Sequence, residues 1–188
     1  MAVYIALLRG INVGGHNKIK MAELRLALER IGLTQVQTYI QSGNVLFESD
    51  EGEEQLRNRI ENEIQKEFGL TISIILRTAK ELEWIADNCP FSDHEVSEAE
   101  ASSEGECLYV SLLLEVPTPE LWERFYSYKV GTDECRLEGR ELYLLFRHSI
   151  RNSKLANNLQ KLEVPTTTRN WKTINKLVSL AKAMETMK

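Results

Sequence analysis

The sequence predicts an α+β protein of two βαββαβ subdomains in tandem, each an antiparallel sheet covered by helices. Three observations point there. Blocks whose apolar residues recur every three or four positions alternate with short runs rich in Val, Ile and Leu. Gly, Ser and Asn cluster between adjacent runs, as hairpin turns require. The order of blocks over residues 1–77 returns in outline over residues 107–188, as after a duplication. At 188 residues, with 43% hydrophobic and 27% charged side chains, the chain can build a core, and the disordered, collagenous and membrane-spanning classes are excluded.

Residues 3–8 form an apolar run that ends at Arg9, far shorter than a membrane span and read as a buried strand. Leu24, Leu28 and Ile31 share one face of a helix over 21–31, with Gly32 placed to stop it. Runs at 35–40 and 45–47 flank Gln41-Ser42-Gly43-Asn44, the turn chemistry of a hairpin. Leu56, Ile60, Ile64 and Phe68 give a second helix over 53–68, and 71–76 a fourth strand. This is the ferredoxin-like order.

A short helix over 80–88 follows. Residues 93–106 hold six acids and no Lys or Arg, which predicts an exposed, mobile loop. The expected domains are therefore 1–77, a connecting helix and acidic loop over 78–106, and 107–188 with an extra C-terminal helix. In the second subdomain, a strand at 108–114, a helix at 118–128 with Pro119 in its first turn, and a hairpin at 136–146 repeat the pattern. Residues 153–162 read as helix. The fourth strand would fall at 164–168, where Pro165 makes it an edge strand or absent. Ile174, Leu177, Val178 and Ala181 mark a last amphipathic helix over 171–184.

The formal net charge of −5 hides an asymmetry. Residues 1–47 hold five Lys/Arg against two acids, 48–146 hold nine against 24, and 147–188 hold nine against two. The two basic ends could form one positive surface on an acidic protein.

The first candidate site is the turn after strand one, Arg9 to Lys20. Its glycines let consecutive N–H groups converge, and a helix N-terminus follows; both suit an anion, with Arg9, Lys18 and Lys20 adding charge. Gly10 to Gly15 imitates half a P-loop, but His16 and Asn17 stand where Lys and Ser or Thr belong. With strand order 4-1-3-2, strands one and two run parallel, so Gln41, Ser42 and Asn44 lie at the same end as Asn12, Gly14 and Gly15. Arg169 and Asn170, before Trp171, offer a guanidinium fork and an amide, or simply a cap for the last helix. The histidines show no metal-ligand spacing, Ser42 is not in a nucleophile elbow, and no cofactor or metal is expected. Three cysteines without C-x-x-C spacing suit a reducing, cytoplasmic setting.

The strings Leu8-Arg9-Gly10-Ile11-Asn12-Val13-Gly14-Gly15, Lys20-Met21, Thr38-Tyr39-Ile40-Gln41-Ser42-Gly43-Asn44-Val45, Ser153-Lys154-Leu155 and Thr168-Arg169-Asn170-Trp171 resemble the bacterial domain-of-unknown-function family numbered 1697. The resemblance covers nearly the whole chain and implies a cytoplasmic protein of two ferredoxin-like subdomains, with no established activity.

The expected function is binding of a phosphate-bearing or nucleotide-like small molecule by Arg9, Asn12, Gly14, Gly15, Lys18, Lys20, Gln41, Ser42 and Asn44, with Arg169 and Asn170 completing the site. Whether that ligand is turned over stays open. A nucleic-acid-binding module ranks second, because the acidic chain has no aromatic-rich strand. The third reading is a protein-interaction or homodimer module without ligand. No membrane partner is expected, and the sequence leaves the oligomeric state undefined.

Overall fold

The computed structural model describes residues 1–187. The chain divides into two compact units, one of residues 1–84 with the end of the chain from Lys176, the other of residues 85–175. The first unit runs β1 (Ala2–Leu8), α1 (Met21–Arg30), β2 (Thr34–Tyr39), β3 (Asn44–Ser49), α2 (Glu53–Phe68), β4 (Ile74–Thr78) and the start of α3 (Ala79–Asp87). Its sheet has the order β2-β3-β1-β4, with every neighbour antiparallel. Since β1 and β2 both oppose β3, they run parallel to each other.

The helical periodicity becomes the core of this unit. Leu24 and Leu28 of α1 and Leu56, Ile60 and Ile64 of α2 bury against Ala6, Leu8, Val45, Phe47, Ile74 and Leu76. Each such aliphatic contributes about 1.5–3 kcal/mol of transfer free energy. β4 begins at Ile74, not 71, because its partner β1 ends at the Leu8–Ile74 pair. The edge strand β2 carries a bulge: two residues between Thr34 and Gln37 oppose one between Glu48 and Leu46, and Gln35 has φ +54°.

The second unit contains α4 (Asp93–Ser102), β5 (Leu108–Leu113), α5 (Pro119–Tyr126), β6 (Glu134–Glu138), β7 (Glu141–Leu145) and β8 (Thr166–Asn170), with sheet order β6-β7-β5-β8. Its helix-side core joins Leu113, Phe125, Leu142, Leu144, Phe146, Leu155 and Leu162. Both units are thus ferredoxin-like, an α+β architecture of two four-stranded antiparallel sheets flanked by helices. The last helix, α6 (Trp171–Thr186), begins in this unit.

Two expectations are corrected. The acidic stretch is helix α4 over most of its length, not a mobile loop. Ser92 and Glu95 form a reciprocal capping box, Ala99 is fully buried, and Arg136 and Arg147 reach Glu95 (2.7 Å) and Glu98 (3.6 Å). Residues 153–162 are not α-helical. Two 3-10 turns, Ile150–Asn152 and Ala156–Leu162, replace the helix, and a break at Asn158 interrupts the second. Here the Asn157 and Asn158 side chains donate to the Arg151 and Lys154 carbonyls, offering the backbone an alternative to the α-helical ladder. Of the two readings of residues 164–168, the edge strand is the one found: β8 starts just past Pro165 and pairs only with β5. The two compact units divide within α3, and the segment from Lys176 groups with the first unit, where Lys182 pairs with Glu83 at 2.6 Å.

Candidate functional site

The parallel course of β1 and β2 brings the loop after β1 and the hairpin after β2 to one end of the first sheet. Loop 9–20 is fixed by its own polar groups. Asn12 has φ +53°; its Oδ1 accepts from Ile19 N–H (2.9 Å), and its Nδ2 donates to Ile19 O (3.0 Å) and Gln41 O (2.8 Å). Asn17 Nδ2 donates to Gly10 O at 3.0 Å, and His16 N–H to Val13 O at 2.9 Å. Gly14 and Gly15, at φ +56° and +79°, complete a bend that residues with a Cβ would resist.

The hairpin is equally constrained. Fully buried Asn44 donates through Nδ2 to Tyr39 O (2.9 Å) and Ser42 Oγ (3.0 Å), and Gly43 O accepts from Leu8 N–H at 2.9 Å. Gly43 sits at φ +84°, where a Cβ would come within 2.6 Å of Ile11 Cδ1 and 2.9 Å of Leu8 Cβ.

Between loop, hairpin and α1 opens a cleft of about 730 Å³, lined by Asn12, Gly15, Lys18, Lys20, Gln41 and the first residues of α1. Lys20 occupies the N-cap position in extended conformation, and no side chain caps the helix. The first-turn residues Met21, Ala22 and Glu23 line the cleft at this uncapped helix start, whose N–H groups carry partial positive charge, beside the exposed Lys18 and Lys20. Glu23 sits 3.6 Å from Lys20 Nζ in an exposed pair of little energetic weight. The arrangement can hold an anion by two ammonium groups and backbone donors, with Ile19 and Met21 as apolar wall.

Five of the residues singled out from the sequence line this cleft: Asn12, Gly15, Lys18, Lys20 and Gln41. Six do not. Arg9 is exposed, and its N–H donates to Ser73 O on the β4 side. Gly14 shapes the loop, while Ser42 and Asn44 hold the turn. Arg169 and Asn170 belong to the second unit and lie in strand β8, not in a loop. The Arg169 guanidinium is buried and donates to Thr167 Oγ1 (2.7 Å) and Thr168 O (3.0 Å). Burial lowers its pKa to about 10, which leaves it charged at neutral pH. Asn170 Oδ1 accepts from Thr173 N–H at 2.8 Å, the capping role that its position suggested. Sequence reasoning missed Ile19, Met21, Ala22 and Glu23; the readable signal was a helix start preceded by Lys in place of Ser, Thr, Asp or Asn.

In the second unit, Asp87, Cys89, Asp93, Glu100 and Trp171 line another cleft, of about 530 Å³. Burial raises the Cys89 pKa, so its sulfur stays a thiol at neutral pH, unlike an activated nucleophile.

No curated protein matches the chain. Among solved structures, the conserved bacterial protein SP0830 from Streptococcus pneumoniae is similar, with a TM-score of 0.74 and 26% sequence identity over 96% of this chain and 98% of that one. The family described as "Protein of unknown function (DUF1697)" matches residues 1–143, a span that includes the whole cleft of the first unit and ends before Arg169. Two ferredoxin-like units and a family match over most of the length agree: the chain belongs to the DUF1697 family.

Proposed function

We propose that this chain binds a phosphate-bearing or nucleotide-like small molecule in the cleft at the start of α1, and that it does so in a reducing cytoplasm, where its three free cysteines remain thiols. The observation that carries this reading is the open N-terminus of α1 with Lys18, Lys20 and Gln41 around it. A phosphate would take the backbone donors that no side chain satisfies, the lysines would neutralise it, and the Gln41 amide and apolar wall would meet the rest of the molecule. Recognition of nucleic acid is less supported. The exposed aromatics Trp84 and Tyr126 lie on helices, whereas base-stacking platforms of this fold use strands.

A thermal-shift screen of phosphate, pyrophosphate and nucleotides tests the proposal. Ligand at about 100 times its Kd stabilises the fold by roughly 2.7 kcal/mol, raising Tm by roughly 5–10 °C in a chain of this size. Lys18→Ala with Lys20→Ala should remove the shift and leave the unliganded Tm within a few degrees. A steep salt dependence with oligonucleotides, and no response to nucleotides, would favour the nucleic-acid reading instead.

A further inference from the structure

Ile40 is a β-branched residue held at φ +51°, in the left-handed region, with 48% of its surface exposed. Nothing about packing requires this, since a half-exposed side chain gains little from its position. Glycine or asparagine would occupy such a conformation at much lower cost. The strained residue lies between two fixed points. At one end Tyr39 O accepts from Asn44, and at the other Gly43 is seated against Leu8 and Ile11. Between them, the Gln41 carbonyl is drawn toward the loop by Asn12 Nδ2 at 2.8 Å. The same amide spends its remaining groups on Ile19, one residue from both cleft lysines.

We infer that residues 40–42 are a strained strap over the cleft, latched by the Asn12 amide, and that the strap sets how tightly the cleft holds its occupant. This inference rests on the reading of the cleft as a ligand site. With the latch made, Gln41 stands over the cleft beside Lys18 and Lys20. With it broken, Ile40 relaxes to an ordinary backbone conformation and Gln41 leaves the site. Asn12 is then a positioning residue: both of its amide hydrogens are used within the protein, and it acts on a ligand through Gln41 and Ile19. Strain at functional loops is stored in this way when surrounding contacts over-determine it.

The test uses the full chain, amide exchange read by NMR, and pyrophosphate as the probe. Ile40→Asn keeps the left-handed conformation without the strain, so the latch should open less often. Solvent exchange of the Asn12 side-chain amide should slow by roughly fivefold, and pyrophosphate should bind roughly fivefold tighter. Asn12→Ala should weaken pyrophosphate binding while β1 and β3 amides keep their protection. Unchanged or faster Asn12 exchange in Ile40→Asn would overturn the strap. So would loss of protection across the whole sheet in Asn12→Ala together with unaltered affinity in Ile40→Asn. If wild-type protein shows no pyrophosphate-induced shifts at residues 18–23, the binding reading fails, and the Asn12 exchange still decides whether the strap exists.

Discussion

The two units treat the same topological position in opposite ways. In the first, twelve residues separate β1 from α1, five of residues 10–17 have positive φ, and the helix starts with no side-chain cap. In the second, five residues separate β5 from α5, the Thr118 hydroxyl accepts from Leu121 N–H at 3.3 Å, and Pro119 opens the helix. The second arrangement closes a helix terminus for stability. The first leaves its terminus unsatisfied and spends a long, self-bonded loop on keeping it reachable. The two units thus differ in this connection, and in the first it lines the cleft at the start of α1.

The hairpin glycines give the largest expected contrast. Gly43 and Gly139 both have positive φ, but a Cβ on Gly139 would meet only Glu141 Oε2, at 3.7 Å. Gly139→Ala should cost about 1 kcal/mol from backbone conformation alone. Gly43→Ala adds overpacking of Ile11 and Leu8, about 1–3 kcal/mol more. Urea denaturation of the two variants measures the difference, and equal losses would show that the first hairpin is not held tightly against loop 9–20.

Capping gives a smaller effect, of opposite sign in the two units. Thr118→Ala should destabilise by about 1 kcal/mol, whereas Lys20→Ser should install a missing cap and stabilise by about 0.5–1 kcal/mol. The same Lys20→Ser variant should lose phosphate-ligand binding, because its hydroxyl takes a donor that the ligand would use. Paired denaturation and thermal-shift measurements check both halves.

The smallest effect concerns α4, which has no counterpart in the first unit. Its Glu95 carboxylate accepts from Ser92 N–H at 2.7 Å and from Arg136, and those bonds hold its pKa down at about 2, below the ordinary 4.5. A depressed carboxylate stabilises the fold fully above the unfolded value, and the stabilisation is lost as pH falls from about 4.5 toward 2. Amide exchange at the start of α4 should therefore accelerate across that window in wild type, and Glu95→Gln should flatten the response.

What could be read in advance follows from the range of the interactions. α1 and α2 were legible because Leu24, Leu28, Leu56, Ile60 and Ile64 declare their faces by spacing alone. Strand order follows from the element order, and that order alone places Asn12 and Gln41 at the same end of the sheet. The ordering of 93–102 was not legible. Local sequence shows only like charges, and the arginines that offset them stand at 136 and 147. Arg169 misled for a related reason: Thr166 to Asn170 has no apolar alternation, and only pairing with β5 makes it a strand. The role of Asn12 was hidden because three backbone groups from distant points use up an amide that looks free in sequence.

The bulge in β2 has a consequence for behaviour in solution. This strand is an outer edge of the first sheet, a row of backbone donors and acceptors that could template the pairing of another chain. The extra residue at 35–36, turned into the left-handed region at Gln35, bends that row out of register with any straight incoming strand. Edge-to-edge aggregation needs several consecutive matched bonds, and an interrupted edge supplies them only in pieces. A one-residue irregularity six residues before Gln41 thus makes this edge a poor template for polymerisation.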